Sequence, residues 1–72
     1  MMHNYYIVEA YDGEDWFYHT EKWKQIDPMW YEDFDKAVES AKEYTDRTDV
    51  RTRVIDRCYG RTLAEVRKGE VA

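Results

Sequence analysis

The sequence predicts an α+β fold: a four-stranded antiparallel sheet in the order β-β-α-β-β, with one helix packed on one face. Three observations carry this. Phe34, Ala37, Val38, Ala41 and Thr45 recur at helical spacing behind Asp33, a favourable N-cap. Tyr5-Tyr6-Ile7-Val8-Glu9-Ala10-Tyr11 is short and rich in strand-forming residues. Val50 to Cys58 alternates, with Val50, Thr52, Val54, Asp56 and Cys58 on one face and Arg51, Arg53, Ile55 and Arg57 on the other.

Each element follows in chain order. The Tyr5–Tyr11 run forms the first strand. Asp12-Gly13 is a turn pair, and Glu14-Asp15 follows it. Trp16-Phe17-Tyr18-His19-Thr20 is then expected to return as the second strand. Residues 21–31 fit neither period and are expected to be a loop, with room for a helical turn or a short strand near Trp30-Tyr31. Asp27-Pro28 is a turn signal inside it. The helix starts after Asp33, carries Asp35 in its first turn where the dipole favours an acid, and should end near Asp46. Tyr59-Gly60 supplies the last turn and Arg61–Val66 the closing strand. The tail 67–72 is expected to fray.

The chain is one small domain, residues 1–72, with no room for a second. Twelve aromatic residues, 17% of the chain, supply enough burial to exclude a disordered sequence. No apolar run approaches the ~18 residues of a membrane span. A single cysteine excludes an internal disulfide and a Cys-rich zinc site within one chain. The opening Met1-Met2-His3-Asn4 lacks a basic stretch followed by an apolar core, so no signal peptide is expected. A free thiol fits a reducing cytoplasm. At this length a core is marginal, and a homodimer is one natural remedy.

The net charge of −5 is unevenly placed. Residues 1–46 hold twelve acids and four bases, a balance of −8. Residues 47–72 hold seven bases and four acids, a balance of +3. Such a chain can present one acidic and one basic surface.

No catalytic constellation stands out, and an enzyme is not expected. Ser40 lies in the helix with no histidine near it in sequence and reads as a neutral helix residue. His3, His19 and Glu9 could hold a metal only if the first hairpin brought them together, and no ligand spacing supports that. Cys58 reads as a small core or edge residue rather than a nucleophile. No cofactor is implied. The carboxylate pairs Glu14-Asp15, Glu32-Asp33, Asp33/Asp35 and Glu39/Glu43 are solvated surface in the plain reading. In the sharper reading Glu32, Asp35, Glu39 and Glu43 mimic nucleic-acid phosphates on a rigid helix.

Arg51, Arg53 and Arg57 form the alternative basic face, suited to phosphates and stacked bases. The acidic chain and the lack of an RNP-type motif oppose direct nucleic-acid binding. Tryptophan, tyrosine and arginine are also the residues of protein-binding hot spots. Trp23 and Trp30 flank the irregular segment and are expected among the exposed anchors. One helix covers only one face of a sheet, so the uncovered face is where function is sought.

The combination of Tyr5-Tyr6-Ile7-Val8-Glu9, the aromatic Trp16-Phe17-Tyr18, the helix Asp33-Phe34-Asp35-Lys36-Ala37-Val38-Glu39-Ser40-Ala41-Lys42 and the closing Val54-Ile55-Asp56 through Gly60-Arg61-Thr62-Leu63-Ala64-Glu65-Val66 resembles small phage or prophage proteins. Some anti-CRISPR proteins share this element order, and phage uracil-DNA glycosylase inhibitors are comparably small and acidic. The first half is also loosely similar to the HicB antitoxin domain, without that family's Pro and Gly pattern before the helix. The resemblance implies a non-enzymatic inhibitor in the bacterial host cytoplasm. Its partner would be a host protein or ribonucleoprotein complex, held off nucleic acid by occlusion, with Glu32, Asp35, Glu39 and Glu43 binding the partner as decoy charge and the exposed aromatics Trp23 and Trp30 as anchors. No motif matches functional residues of a named family, so none are carried over. A small nucleic-acid-binding regulator and a structural homodimer are the other two classes.

Overall fold

A computed structural model of the chain describes residues 5–26 and 30–67. The elements are β1 (Tyr6–Asp15), β2 (Thr20–Gln25), α1 (Phe34–Thr48), β3 (Thr52–Asp56) and β4 (Thr62–Val66). All neighbouring strands are antiparallel, and the sheet order is β2-β1-β3-β4. The α+β class and the β-β-α-β-β order are those the sequence predicts.

The helix forms where its stripe and caps require. Asp33 Oδ1 accepts from the Asp35 N–H at 2.9 Å, which satisfies one of the orphan donors of the first turn. The helix continues two residues past the expected Asp46, to Thr48. Asp49 then takes the left-handed conformation at φ 66° and its N–H donates to the Thr45 carbonyl. Aspartate tolerates this conformation better than most residues, so it ends a helix without a glycine.

Ala37 and Ala41 are fully buried against Val8 of β1 and Val54 of β3. Tyr6, Ile26, Tyr31, Phe34, Val38, Ala64 and Val66 pack around this centre. Small residues at the helix–sheet contact let the two layers approach closely, and the larger rings form the margin. Where the helix leaves β3, two threonines close the layer. The Thr52 hydroxyl donates to the Ala41 carbonyl at 3.0 Å. Its single proton being used there, it accepts from the Thr45 hydroxyl at 2.8 Å. Both side chains are buried and both are satisfied.

The first hairpin differs from the expectation. β2 is Thr20–Gln25, inside the segment expected to be a loop, while Trp16 to His19 form the turn rather than a strand. Gly13 is not the turn either. It lies within β1 at φ 92°, where the register shifts between Tyr11 and Glu14. An Asp-Gly pair supplies the positive φ that a bulge needs as readily as the one a turn needs. The strand therefore runs through it.

The real turn is set by Asp15. Its Oδ1 accepts from Phe17 N at 2.9 Å and Tyr18 N at 3.1 Å, and His19, at φ 56°, donates its N–H to the Asp15 carbonyl. The β3–β4 turn repeats the device. Asp56 Oδ1 accepts from Cys58 N at 2.8 Å, and Gly60, at φ 68°, donates to the Asp56 carbonyl. An aspartate followed four residues later by a left-handed residue marks both turns. Cys58 is consequently exposed at the turn and not part of the core. The Asp27-Pro28 turn signal and the tail 68–72 lie outside the described residues. At Tyr31 the chain rejoins the sheet through an isolated antiparallel bridge to Tyr6.

Candidate functional site: the uncovered sheet face

Strand alternation divides the sheet into two faces. Tyr6, Val8, Ala10, Thr52, Val54, Ala64 and Val66 turn toward the helix. Tyr5, Ile7, Glu9, Tyr11, Trp23, Gln25, Arg51, Arg53, Ile55, Arg57 and Glu65 share the other face, which the helix leaves open.

That face is built in cross-strand rows. One row runs Gln25–Glu9–Arg53–Glu65 through all four strands. Arg53 Nε and Nη2 both donate to Glu9 Oε1, at 2.8 and 2.7 Å. The next row joins Trp23, Tyr11 and Arg51. The Tyr11 and Trp23 rings meet edge to face at 5.6 Å. Arg51 lies 4.2 Å from the Tyr11 ring centre, pairs with Glu21 of β2 and reaches within 3.7 Å of Glu65. Arg53 lies 4.3 Å from the Trp23 ring centre. At the far end Arg57 sits 3.7 Å over Trp30, whose ring tilts against Tyr5 at 5.4 Å. A guanidinium over an indole or phenol face gains about 0.5–1 kcal/mol at an exposed site.

The site residues read from the sequence thus fall into two groups. Trp23, Trp30, Arg51, Arg53 and Arg57 come together on the open face. Trp30 is 44% exposed. Trp23 is only half-buried rather than fully exposed, because Arg53 and Arg51 lie across it. Asp35, Glu39 and Glu43 are exposed along the helix, which covers the other face of the sheet, and Glu32 is exposed just before it, two residues from Trp30. Lys36, Lys42 and Arg47 are exposed among them.

Sequence reasoning missed Glu9, Glu21 and Glu65 as partners of the arginines. Their positions in the pairing register were the only signal available, and the register depends on where the hairpins turn. It also placed Trp16, Phe17 and Tyr18 in a strand, whereas they are turn residues among the most exposed rings of the described residues.

Ser40 accepts a hydrogen bond from the Tyr31 hydroxyl at 3.0 Å, tying the helix to the strand bridge. His19 occupies the left-handed position of the first turn. His3 lies outside the described residues. Among the described residues no group of three His, Cys, Asp or Glu is placed to hold a metal ion. An open cleft of about 240 Å³ beside the helix is lined by Ile26, Ser40, Glu43, Tyr44 and Arg47. Its Ser40 hydroxyl is the one that accepts from Tyr31. Among the described residues no helix is long and apolar enough to cross a membrane. Comparison with protein families, curated proteins and solved structures finds no match for this chain.

Proposed function

We propose that this chain is a non-enzymatic binding protein. It docks on a protein partner through the open sheet face and keeps nucleic acid off that partner by occlusion. The observation that carries the reading is the arginine–aromatic–carboxylate ladder. Trp, Tyr and Arg are the residues that dominate binding energy at protein interfaces. Here they are held by neighbours in fixed orientations, which lowers the ordering cost of association.

The same ladder favours a protein over a nucleic acid. Arg51, Arg53 and Arg67 are already paired with Glu21, Glu9 and Glu65. Guanidiniums lie across the Trp23, Tyr11 and Trp30 faces that a base would stack upon. A nucleic acid would have to break these contacts and approach a chain of net charge −5.

The helix on the opposite side supports the inhibitory half of the reading. With the sheet docked, Asp35, Glu39 and Glu43 along the helix face outward, with Glu32 just before it, and present carboxylates to any approaching phosphate backbone. The resemblance to small phage inhibitors points the same way. The partner class is a host bacterial protein or ribonucleoprotein complex that handles nucleic acid.

The test has two steps. Affinity capture of the tagged chain from nuclease-treated bacterial lysate identifies the partner by mass spectrometry. The partner's binding of labelled nucleic acid is then titrated with this chain. Stoichiometric displacement is expected. A partner that keeps its nucleic acid while bound to the chain contradicts occlusion. A chain that sediments only as its own dimer moves the open face to self-association.

A further inference from the structure

The β1–β2 hairpin extends beyond the rest of the sheet and ends in three rings that no described residue outside the turn covers. β1 pairs with β3 from Tyr6 to Ala10, and the last bond between them runs from Tyr11 N to the Arg51 carbonyl. From Glu14 to the turn β1 pairs with β2 alone. The helix packs on β1, β3 and β4 and not on β2. The result is a two-stranded arm.

At its tip Trp16, Phe17 and Tyr18 are 83%, 67% and 72% exposed. They contribute nothing to the core. They are nonetheless ordered by one another, edge to face at 5.8 and 5.0 Å, and by the Asp15 carboxylate that holds the Phe17 and Tyr18 amides. Large rings kept in water on a preorganised turn are the pattern of an anchor. The neck below them carries Asp12, Glu14, Asp15 and Glu21 against Lys22, Lys24, which lies near Asp12, and Arg51, which pairs with Glu21.

We propose that this arm is a second docking element, which inserts Trp16, Phe17 and Tyr18 into an apolar pocket with a basic rim on the protein partner. The rim follows from charge complementarity: the neck keeps one more acid than bases, and Glu14, with no ion pair among the described residues, is matched by lysine or arginine. Bilayer interfaces also take up Trp and Tyr, but cytoplasmic leaflets are anionic and repel this neck. The inference rests on the protein-binding reading of the sheet face and names a separate part of the same interface.

The experiment uses the full chain with benzoylphenylalanine in place of Phe17 or, separately, of Trp23, irradiated in bacterial lysate. Both positions are expected to crosslink to one partner. The adduct from position 17 should map to a peptide containing apolar residues together with Lys or Arg. Crosslinking from position 23 but not from 17, or from 17 only to a second copy of this chain, overturns the arm and leaves the sheet reading intact. Crosslinking from neither position overturns both. The combined Trp16→Ser, Phe17→Ser, Tyr18→Ser variant should fold with an unchanged denaturation midpoint and lose about tenfold or more in partner recovery. Wild-type recovery by that variant contradicts the proposal. So does sedimentation of the wild-type chain, but not the variant, with phosphatidylcholine vesicles, with or without phosphatidylserine.

Discussion

The guanidinium of Arg53 lies 4.3 Å from the ring centre of Trp23, two strands away, while its Nε and Nη2 are held by Glu9 on the strand between them. One side chain therefore ties the three strands β3, β1 and β2 together on the face the helix does not cover. Arg53 and Glu9 are largely shielded, with side chains 27% and 18% exposed, so their pairing is stronger than that of an open surface pair. A double-mutant cycle over Arg53→Ala and Glu9→Ala should give a coupling of about 1 kcal/mol in denaturant unfolding. Additive effects would mean that the pair is not formed in solution.

The buried threonine relay predicts an asymmetry. Thr52→Val removes the acceptor of Thr45 and the donor to the Ala41 carbonyl together, and should cost about 1–3 kcal/mol. Adding Thr45→Val removes the stranded hydroxyl, so the double variant should be no less stable than Thr52→Val alone. Urea midpoints of the three variants measure this. A double variant that loses the sum of both single effects would contradict the relay.

The two turns place a glycine and a histidine in equivalent left-handed positions. Gly60→Ala meets no atom within 4 Å, so its cost is the backbone conformation alone, about 1–2 kcal/mol. His19→Gly should be neutral to slightly stabilising, since it relieves the same conformation while adding freedom to the unfolded chain. Thermal unfolding of both variants reads the difference. Destabilisation by His19→Gly larger than by Gly60→Ala would show that the histidine ring makes a contact beyond the turn.

Loss of the helix cap has a predictable size. Asp33→Ala leaves the Asp35 amide without its partner and should lower stability by about 1 kcal/mol, while Asp33→Asn or Asp33→Ser retains most of it. Circular dichroism during urea unfolding distinguishes the three.

The helix, its N-cap and the alternation of the third strand were legible because each depends on local spacing. The stripe Phe34, Ala37, Val38, Ala41, Thr45 can bury only one way, and Arg51, Arg53 and Arg57 must share a face if Thr52 and Val54 are under the helix. The first hairpin was not legible. Gly13 suits a turn and a bulge equally, and Trp16-Phe17-Tyr18 has strand propensity that Asp15 overrides by capping the Phe17 and Tyr18 amides. That displacement moved the second strand to Thr20–Gln25 and hid the pairing of Trp23 with Tyr11. The site was therefore readable as residue types and not as an arrangement. Nothing local could show that Glu9, Glu21 and Glu65 would engage the arginines, or that Trp23 and the acids of the helix would lie on opposite faces.

The paired arginines also set the nucleic-acid affinity of the chain. Gel shifts with single- and double-stranded DNA and RNA should show no binding at physiological salt. A salt-sensitive shift abolished by combined Arg51→Ala, Arg53→Ala, Arg57→Ala would assign the face to nucleic acid instead.

Parallel affinity capture of three tagged chains shows whether the open sheet face holds the partner. They are the wild type, a Trp23→Ala, Arg53→Ala variant, and a variant with Glu32, Asp35, Glu39 and Glu43 all changed to alanine. The lysate is nuclease-treated and recovery is quantified by mass spectrometry, with folding of each chain verified beforehand. One stoichiometric protein partner is expected for the wild type, a loss of about tenfold or more for the sheet variant, and near wild-type recovery for the helix variant. Full recovery by the sheet variant, with loss confined to the helix variant, would contradict a sheet contact and make the acidic helix the contact surface.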